Sequence, residues 1–319
     1  MRLGGIGVAD EKILKRDDFK FAVPLVTRFT ETDANQHIND SSYFIYLSEA
    51  RNGYFASLGL FDDPWCRPGK PTHFSVHFGC DYRAELGCGR RIEACARVVR
   101  VGRTSVDMLF GVFDVETGGQ AAGGRTVCIH WDQARGGLAP ITPEMRRKME
   151  AFEGRALSEE LVPPPVAPSG MGRFPFRVPV TVRFLETDCN GHVNDVSYFH
   201  YFSDARNQYF DQLATYGDRQ AARNPFLFHT AHLSCNYKVQ ISYGDVLDSR
   251  ARIARLGRTS VELEFALVRR GDKALCATGR GVIVGVDGAG KPTPLRPAFR
   301  KAVAAFERRP DLAKPPNVP

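Results

Sequence analysis

The chain repeats itself. Moved along by 155 residues, the stretch RFTETDANQHINDSSYFIYLSEARNGYFASL, which begins at Arg28, falls on RFLETDCNGHVNDVSYFHYFSDARNQYFDQL, which begins at Arg183. Twenty of the 31 positions are identical, against roughly two expected from average composition. The same offset pairs His77 with His232, Tyr82 with Tyr237, Gly102-Arg103-Thr104-Ser105 with Gly257-Arg258-Thr259-Ser260, and Gly124-Arg125 with Gly279-Arg280. A repeat of this length makes each copy a folding unit with the same core, and 319 residues suggest two domains on length alone. Residues 21–155 and 176–308 are the expected domains, flanked by tails at 1–20 and 309–319. Between them, residues 156–175 contain Leu161-Val162-Pro163-Pro164-Pro165-Val166-Ala167-Pro168-Ser169-Gly170. Consecutive prolines favour an extended polyproline conformation, so this reads as a semi-rigid spacer long enough for the copies to pack side by side.

Each copy has the same order of elements. A short strand (Ala22 to Phe29; Val178 to Phe184) leads into a polar loop and then a helix, Asn39 to Leu58 and Asn194 to Leu213. The apolar positions Tyr43, Leu47, Ala50, Tyr54, Leu58 and Tyr198, Phe202, Ala205, Tyr209, Leu213 form one helical stripe in each copy. Asn39 or Asp40, and Asn194 or Asp195, can cap the first turn. Four β-rich segments follow in the first copy: His73 to Tyr82, Arg91 to Val101, Ser105 to Val115 and Arg125 to Trp131, with glycine-containing turns between them. A short helix closes each unit, Thr142 to Phe152 and Pro297 to Phe306. One long helix and about five antiparallel strands can bury the helix only by curling the sheet around it. The expected class is therefore α+β, two tandem hotdog domains, with a long central helix wrapped by a curved antiparallel sheet in each. The two copies are expected to pair as an intramolecular pseudo-dimer with the site at their junction. A homodimer of such pseudo-dimers is left open.

Composition narrows the function classes. No apolar run approaches the roughly 20 residues of a bilayer span, and the N-terminal residues lack the apolar core of a secretory signal. A cytoplasmic location is the expectation. Cys80, Cys95, Cys128, Cys235 and Cys276 sit in apolar alternating runs and no CxxC occurs, so reduced, buried thiols are expected rather than disulfides or a zinc site. The net charge of +7 suits an anionic partner. The basic residues are scattered, with no stripe of the kind that binds nucleic acid.

The polar loop carries the chemistry-bearing residues. Asp33, Asn35, His37 and Asn39 alternate there, matched by Asp188, Asn190, His192 and Asn194. A carboxylate can activate water or attack a carbonyl directly. Free amides at the start of a helix can hold an oxyanion, an asparagine can polarise a carbonyl, and a histidine can orient the acid or donate a proton. The structural alternatives are turn formation for Asp and Asn, and capping for Asn39 and Asn194, where capping is favoured.

The string ETD-x-N-x-H-x-N-D-x-S-Y-F followed by S-[ED]-A-R resembles the thioesterases related to 4-hydroxybenzoyl-CoA thioesterase. It is most similar to the tandem-hotdog acyl-ACP thioesterases, whose motif reads D-x-N-x-H-x-N-N-x-x-Y. The likeness covers nearly the whole of both repeats. It implies hydrolysis of an acyl thioester on coenzyme A or acyl carrier protein, with no cofactor or metal. It also implies catalytic roles for Asp33, Asn35 and His37, and for a glutamate that corresponds to Glu85 in Asp81-Tyr82-Arg83-Ala84-Glu85. Asp40 and Asp195 stand where the family usually has a second Asn, and Gln240 stands in the second copy where Glu85 stands in the first. Plant members typically keep the motif in one half only, whereas both halves keep it here. Activity at Asp188, Asn190 and His192 is therefore open, and the first copy is favoured.

Other residues have competing readings of the same kind. Arg103 and Arg258 follow a glycine at a turn and could meet a phosphate of the substrate, or be solvated turn residues. Glu49 and Asp204 on the central helix are expected to pair with Arg51 and Arg206 or to face outward rather than to serve as second acids. His77 and His232 read as core or interface residues. Gly118-Gly119 and Gly123-Gly124 have turn spacing without a phosphate-loop context. The competing functions are a hotdog enoyl-CoA hydratase and a non-catalytic acyl-ligand-binding protein. The hydratases resemble D-x-N-P-x-H, with His five residues after Asp; here the interval is four and no proline follows the Asn.

Overall fold

The structure, a computed structural model, describes residues 14–60, 72–160, 172–213 and 227–315. The proline-rich spacer at 161–170 lies outside the described residues. The chain divides into two compact units, Met1–Val166 with Asp188–Gly191, and Ala167–Thr187 with His192–Pro319.

In the first repeat, strand β1 (Phe21–Val26), helix α1 (Tyr43–Ser57) and strands β2 (Thr72–Tyr82), β3 (Arg91–Val101), β4 (Ser105–Asp114) and β5 (Gln120–Asp132) precede a two-residue strand β6 (Gly137–Leu138) and helix α2 (Pro143–Glu153). The sheet is antiparallel in the order β1-β3-β4-β5-β2, with β6 on β5. The second repeat has β7 (Phe176–Thr181), α3 (Ser197–Leu213), β8 (Leu227–Tyr237), β9 (Val246–Leu256), β10 (Ser260–Arg269), β11 (Leu275–Val286) and α4 (Pro297–Glu307). Its order is β7-β9-β10-β11-β8, again antiparallel. Helix α1 lies against β1, β3 and β4, and α3 against β7, β8 and β9.

The expected helical stripe is the core of each repeat. Tyr43, Leu47, Ala50 and Tyr54 are buried, as are Tyr198, Phe202, Ala205, Tyr209 and Leu213; Leu58, past the end of α1, is half-buried. Both central helices begin later than their patterns suggest. Asn39 accepts the Ser41 amide on its side chain and holds Asp40–Ser42 as a 3₁₀ turn, so the α-helix starts at Tyr43. Asn194 accepts the Val196 amide in the same way. The first strands end early, because Phe29–Glu31 and Phe184–Glu186 close into 3₁₀ turns capped by their own glutamates. Phe29 and Phe184 look like strand residues in the sequence but are 80% and 75% exposed.

Gly123 and Gly124 are not turn residues. They lie inside β5, and at Gly124 the helix comes too close to the sheet for a side chain. A Cβ on Gly124 would stand 2.6 Å from Leu47 Cδ1, and one on the matching Gly279 would stand 2.5 Å from the Phe202 ring. Gly118, with φ of 67°, does form a turn. Cys80, Cys95, Cys128, Cys235 and Cys276 are buried free thiols.

A second buried link ties each central helix to its closing helix. Tyr54 donates to Glu153 (2.8 Å), which also accepts the Val98 amide (2.8 Å). Tyr209 and the Ile253 amide make the same bonds to Glu307 (both 2.7 Å). Glu153 and Glu307 are 154 residues apart, so one residue of the 155-residue register is lost before the closing helix. No described helix is long and apolar enough to cross a membrane.

Candidate active site

The polar loop of the first repeat is a small closed structure at the root of α1. The Asp33 amide donates to His37 O (2.9 Å), and the Gln36 amide donates to Asp33 O (3.0 Å). Asp33 Oδ1 accepts the Asn35 amide (2.8 Å), an Asx turn that holds the carboxylate over its own loop. Gln36 takes a positive φ of 66° to close the turn, where the second repeat has Gly191 at 78°. Thr32 and Ile38 pair across the loop's neck. The Ile38 amide donates to Leu86 O (2.8 Å), which brings the neighbouring His37 beside Glu85. His37 Nε2 and Glu85 Oε2 are 3.4 Å apart, each side chain a little under half exposed.

Asp33 is half-buried and Asn35 exposed, so the structure gathers Asp33, Asn35, His37 and Glu85 around one loop. In the second repeat Asp188 Oδ1 accepts the Asn190 amide (2.8 Å), and Asp188 O accepts the Gly191 amide (3.0 Å). Asp188 and His192 are half-buried, and Gln240 is exposed.

The capping asparagines change the expected source of oxyanion donors. Ser41 N and Ser42 N are already bonded to Asn39 Oδ1 (3.0 Å) and Asn39 O (2.9 Å). Val196 N and Ser197 N are held by Asn194 in the same way. These first-turn amides are spent on the cap.

Other candidates are placed elsewhere. Arg103 is exposed on the β3–β4 turn, at the opposite end of β3 from Arg91, which pairs with the last residue of β1. The strand is 11 residues long, roughly 33 Å between its end residues at about 3.3 Å per step, so within its own repeat Arg103 is far from the Asp33 loop. Arg258 is likewise exposed at the far end of β9. Glu49 and Asp204 face outward, while the adjacent Arg51 bonds Ser75 and Ser48 and Arg206 bonds Thr230 and Ser203. His77 and His232 are buried. Among the described residues no group of three or more His, Cys, Asp and Glu is placed to hold a metal ion.

The loop's root contains a pair that sequence reasoning passed over. Glu31 is buried and its Oε2 accepts the Tyr46 hydroxyl at 2.6 Å; Glu186 accepts Tyr201 at 2.7 Å. Burial pushes the Glu186 carboxyl up, but the Arg183 amide, the Arg183 guanidinium and the Tyr201 hydroxyl outweigh it and hold the group below its ordinary value. The signal was available: a glutamate and a tyrosine 15 residues apart, identical in both copies.

Fold and loop together define a two-domain enzyme-like scaffold with one polar loop per repeat. Residues 27–149 and 182–303 each match the family described as the thioesterase-like superfamily, and the chain belongs to that superfamily. Among curated proteins, the uncharacterized protein YsmA of Bacillus subtilis (strain 168) is 31% identical over 113 residues, 35% of this chain and 74% of that protein. Two solved structures show the same tandem-hotdog fold. A Lactobacillus plantarum protein described as an oleoyl thioesterase superposes with a TM-score of 0.70 at 16% identity, over 84% of this chain and 96% of that one. The 12:0-ACP thioesterase from Umbellularia californica gives a TM-score of 0.65 at 13% identity, over 83% and 97%.

Proposed function

We propose that this protein hydrolyses an acyl thioester carried on coenzyme A or acyl carrier protein, with the first-repeat loop as its principal site. The observation that carries the reading is the meeting of His37 with Glu85 on the loop that begins at Asp33. One oxygen of Asp33 is committed to the Asx turn, and the other is available to a water. As the base, Asp33 takes a proton from water while the oxygen attacks the thioester carbonyl. Asn35 and His37 face the developing oxyanion in place of the capped helix amides. Collapse of the tetrahedral intermediate breaks the C–S bond and leaves the free acid and a thiolate, which takes up the proton that Asp33 removed from water. Glu85, 3.4 Å from His37 Nε2, orients the imidazole. Asp188, Asn190 and His192 form a second loop without the glutamate, a weaker site on this account. The net charge of +7 suits either anionic carrier.

The test is thiol release from matched acyl-CoA and acyl-ACP panels of rising chain length. Release from at least one panel, with free acid as the co-product, is the expected result. Hydration of an enoyl thioester without thiol release would move the assignment to the lyase reading. Saturable binding without turnover would move it to a ligand-binding protein.

A further inference from the structure

We propose that Glu31, held by Tyr46, is a positioning residue that fixes the Asp33–His37 loop for catalysis; the inference rests on the thioesterase reading above. The chain leaves Glu31 to form the loop and returns to it. The backbone oxygen of Glu31 accepts the Asn39 amide (2.8 Å) and the Ser42 hydroxyl (3.2 Å) on the far side of the loop. Its side chain accepts the Arg28 amide (2.8 Å) on the near side and the Tyr46 hydroxyl (2.6 Å) from α1. One buried residue thus joins both ends of the loop to the central helix, whose next residue, Leu47, is fully buried in the core.

Capping of the 3₁₀ turn explains only the bond to the Arg28 amide. It does not explain why a carboxylate is taken out of water and met by a helix tyrosine, an arrangement that is unfavourable unless its bonds are made. A charged acceptor gives shorter and stronger bonds than a neutral one, which stiffens the neck of the loop. The second repeat reproduces the arrangement independently: Glu186 accepts the Arg183 amide (2.8 Å), Tyr201 (2.7 Å), the Asn194 amide (2.8 Å) and Ser197 (3.3 Å). The device is kept although Glu85 is replaced there by Gln240.

The experiment compares kcat and KM for thiol release in wild type, Tyr46→Phe, Glu31→Gln and Glu31→Ala, each also in an Asp33→Asn background. Tyr54→Phe, which removes a tyrosine–glutamate bond remote from the loop, is the structural control. Small misplacement of reacting groups costs up to about 100-fold. Tyr46→Phe is expected to lower kcat roughly 10-fold to 100-fold with KM within about twofold, and to add no further loss once Asp33 is Asn. Glu31→Gln, which keeps an acceptor, retains most of kcat where Glu31→Ala does not, and Tyr54→Phe lowers the melting temperature without lowering kcat. Unchanged kcat in Tyr46→Phe, or an equal loss with and without Asp33, overturns the proposal. If wild type releases no thiol, the functional reading has failed. Hydrogen exchange at residues 32–38 then decides the positioning role. Faster exchange in Tyr46→Phe than in Tyr54→Phe supports it, and equal exchange overturns it.

Discussion

His37 Nε2 stands 3.4 Å from Glu85 Oε2, and in the second repeat the position of Glu85 belongs to Gln240. Both partners are substantially exposed, so the pair contributes little to folding, on the order of 0–1 kcal/mol. Its consequence is in the chemistry. Glu85→Gln is expected to lower kcat about tenfold or more, with the denaturant midpoint almost unmoved; parallel kinetic and urea titrations check both halves of the statement. Equal kcat in the two proteins would remove Glu85 from the site.

The glycine pair Gly124 and Gly279 sets how closely each helix approaches its sheet. A methyl group on Gly279 would drive into the Phe202 ring, which itself stacks on Phe265 with centroids 5.0 Å apart. Gly279→Ala and Gly124→Ala are each expected to destabilise by about 1–3 kcal/mol through overpacking, read from urea midpoints. Gly87→Ala, where a Cβ meets nothing within 4 Å, should change stability much less.

Burial pushes the Glu307 carboxyl above its ordinary value, against the bonds it accepts from Ile253 N and Tyr209. The native state therefore holds a proton that the unfolded chain, with a glutamate pKa of about 4.3, releases earlier. Stability from this group is fully present below that unfolded value and is lost as pH rises through the raised native one. Glu307→Gln keeps an acceptor and does not titrate, so its stability should fall less than that of wild type across that window. Urea midpoints measured at a series of pH values check this, and parallel curves would contradict it.

Cys189 lies inside the second loop and is exposed, whereas burial holds the Cys235 thiol well above its usual range. With Cys88, the other exposed cysteine among the described residues, changed to Ser, iodoacetamide should modify Cys189 long before Cys80 or Cys235. If the first repeat carries turnover, that modification leaves most of the activity in place. Site-resolved mass spectrometry alongside the thiol-release assay measures both.

The parts that were legible in the sequence follow from periodicity and repetition. The stripe from Tyr43 to Tyr54 repeats at helical spacing, and β3 begins and ends where its apolar alternation does. Features that depend on contacts distant in sequence were hidden. Gly124 looks like a turn residue until Leu47 is packed over it. Phe29 looks like a strand residue, yet the Glu31 carboxylate bends the chain away from the sheet just there. The loop acids could be named from their pattern, but the use of the first-turn amides by Asn39 and Asn194 could not, because a cap and an oxyanion hole draw on the same donors. The Glu31–Tyr46 bond was masked by the common reading of a glutamate before a loop as solvated.

On the proposed mechanism Asp33 activates water against a thioester. Its most direct measurement is the rate of thiol release by wild type, Asp33→Asn, Asp188→Asn and the double variant, with folding verified for each. The expected result is a loss on the order of 10²–10⁴-fold for Asp33→Asn, a much smaller change for Asp188→Asn, and a double variant no worse than roughly the product of the two. Equal rates in all four proteins would contradict it.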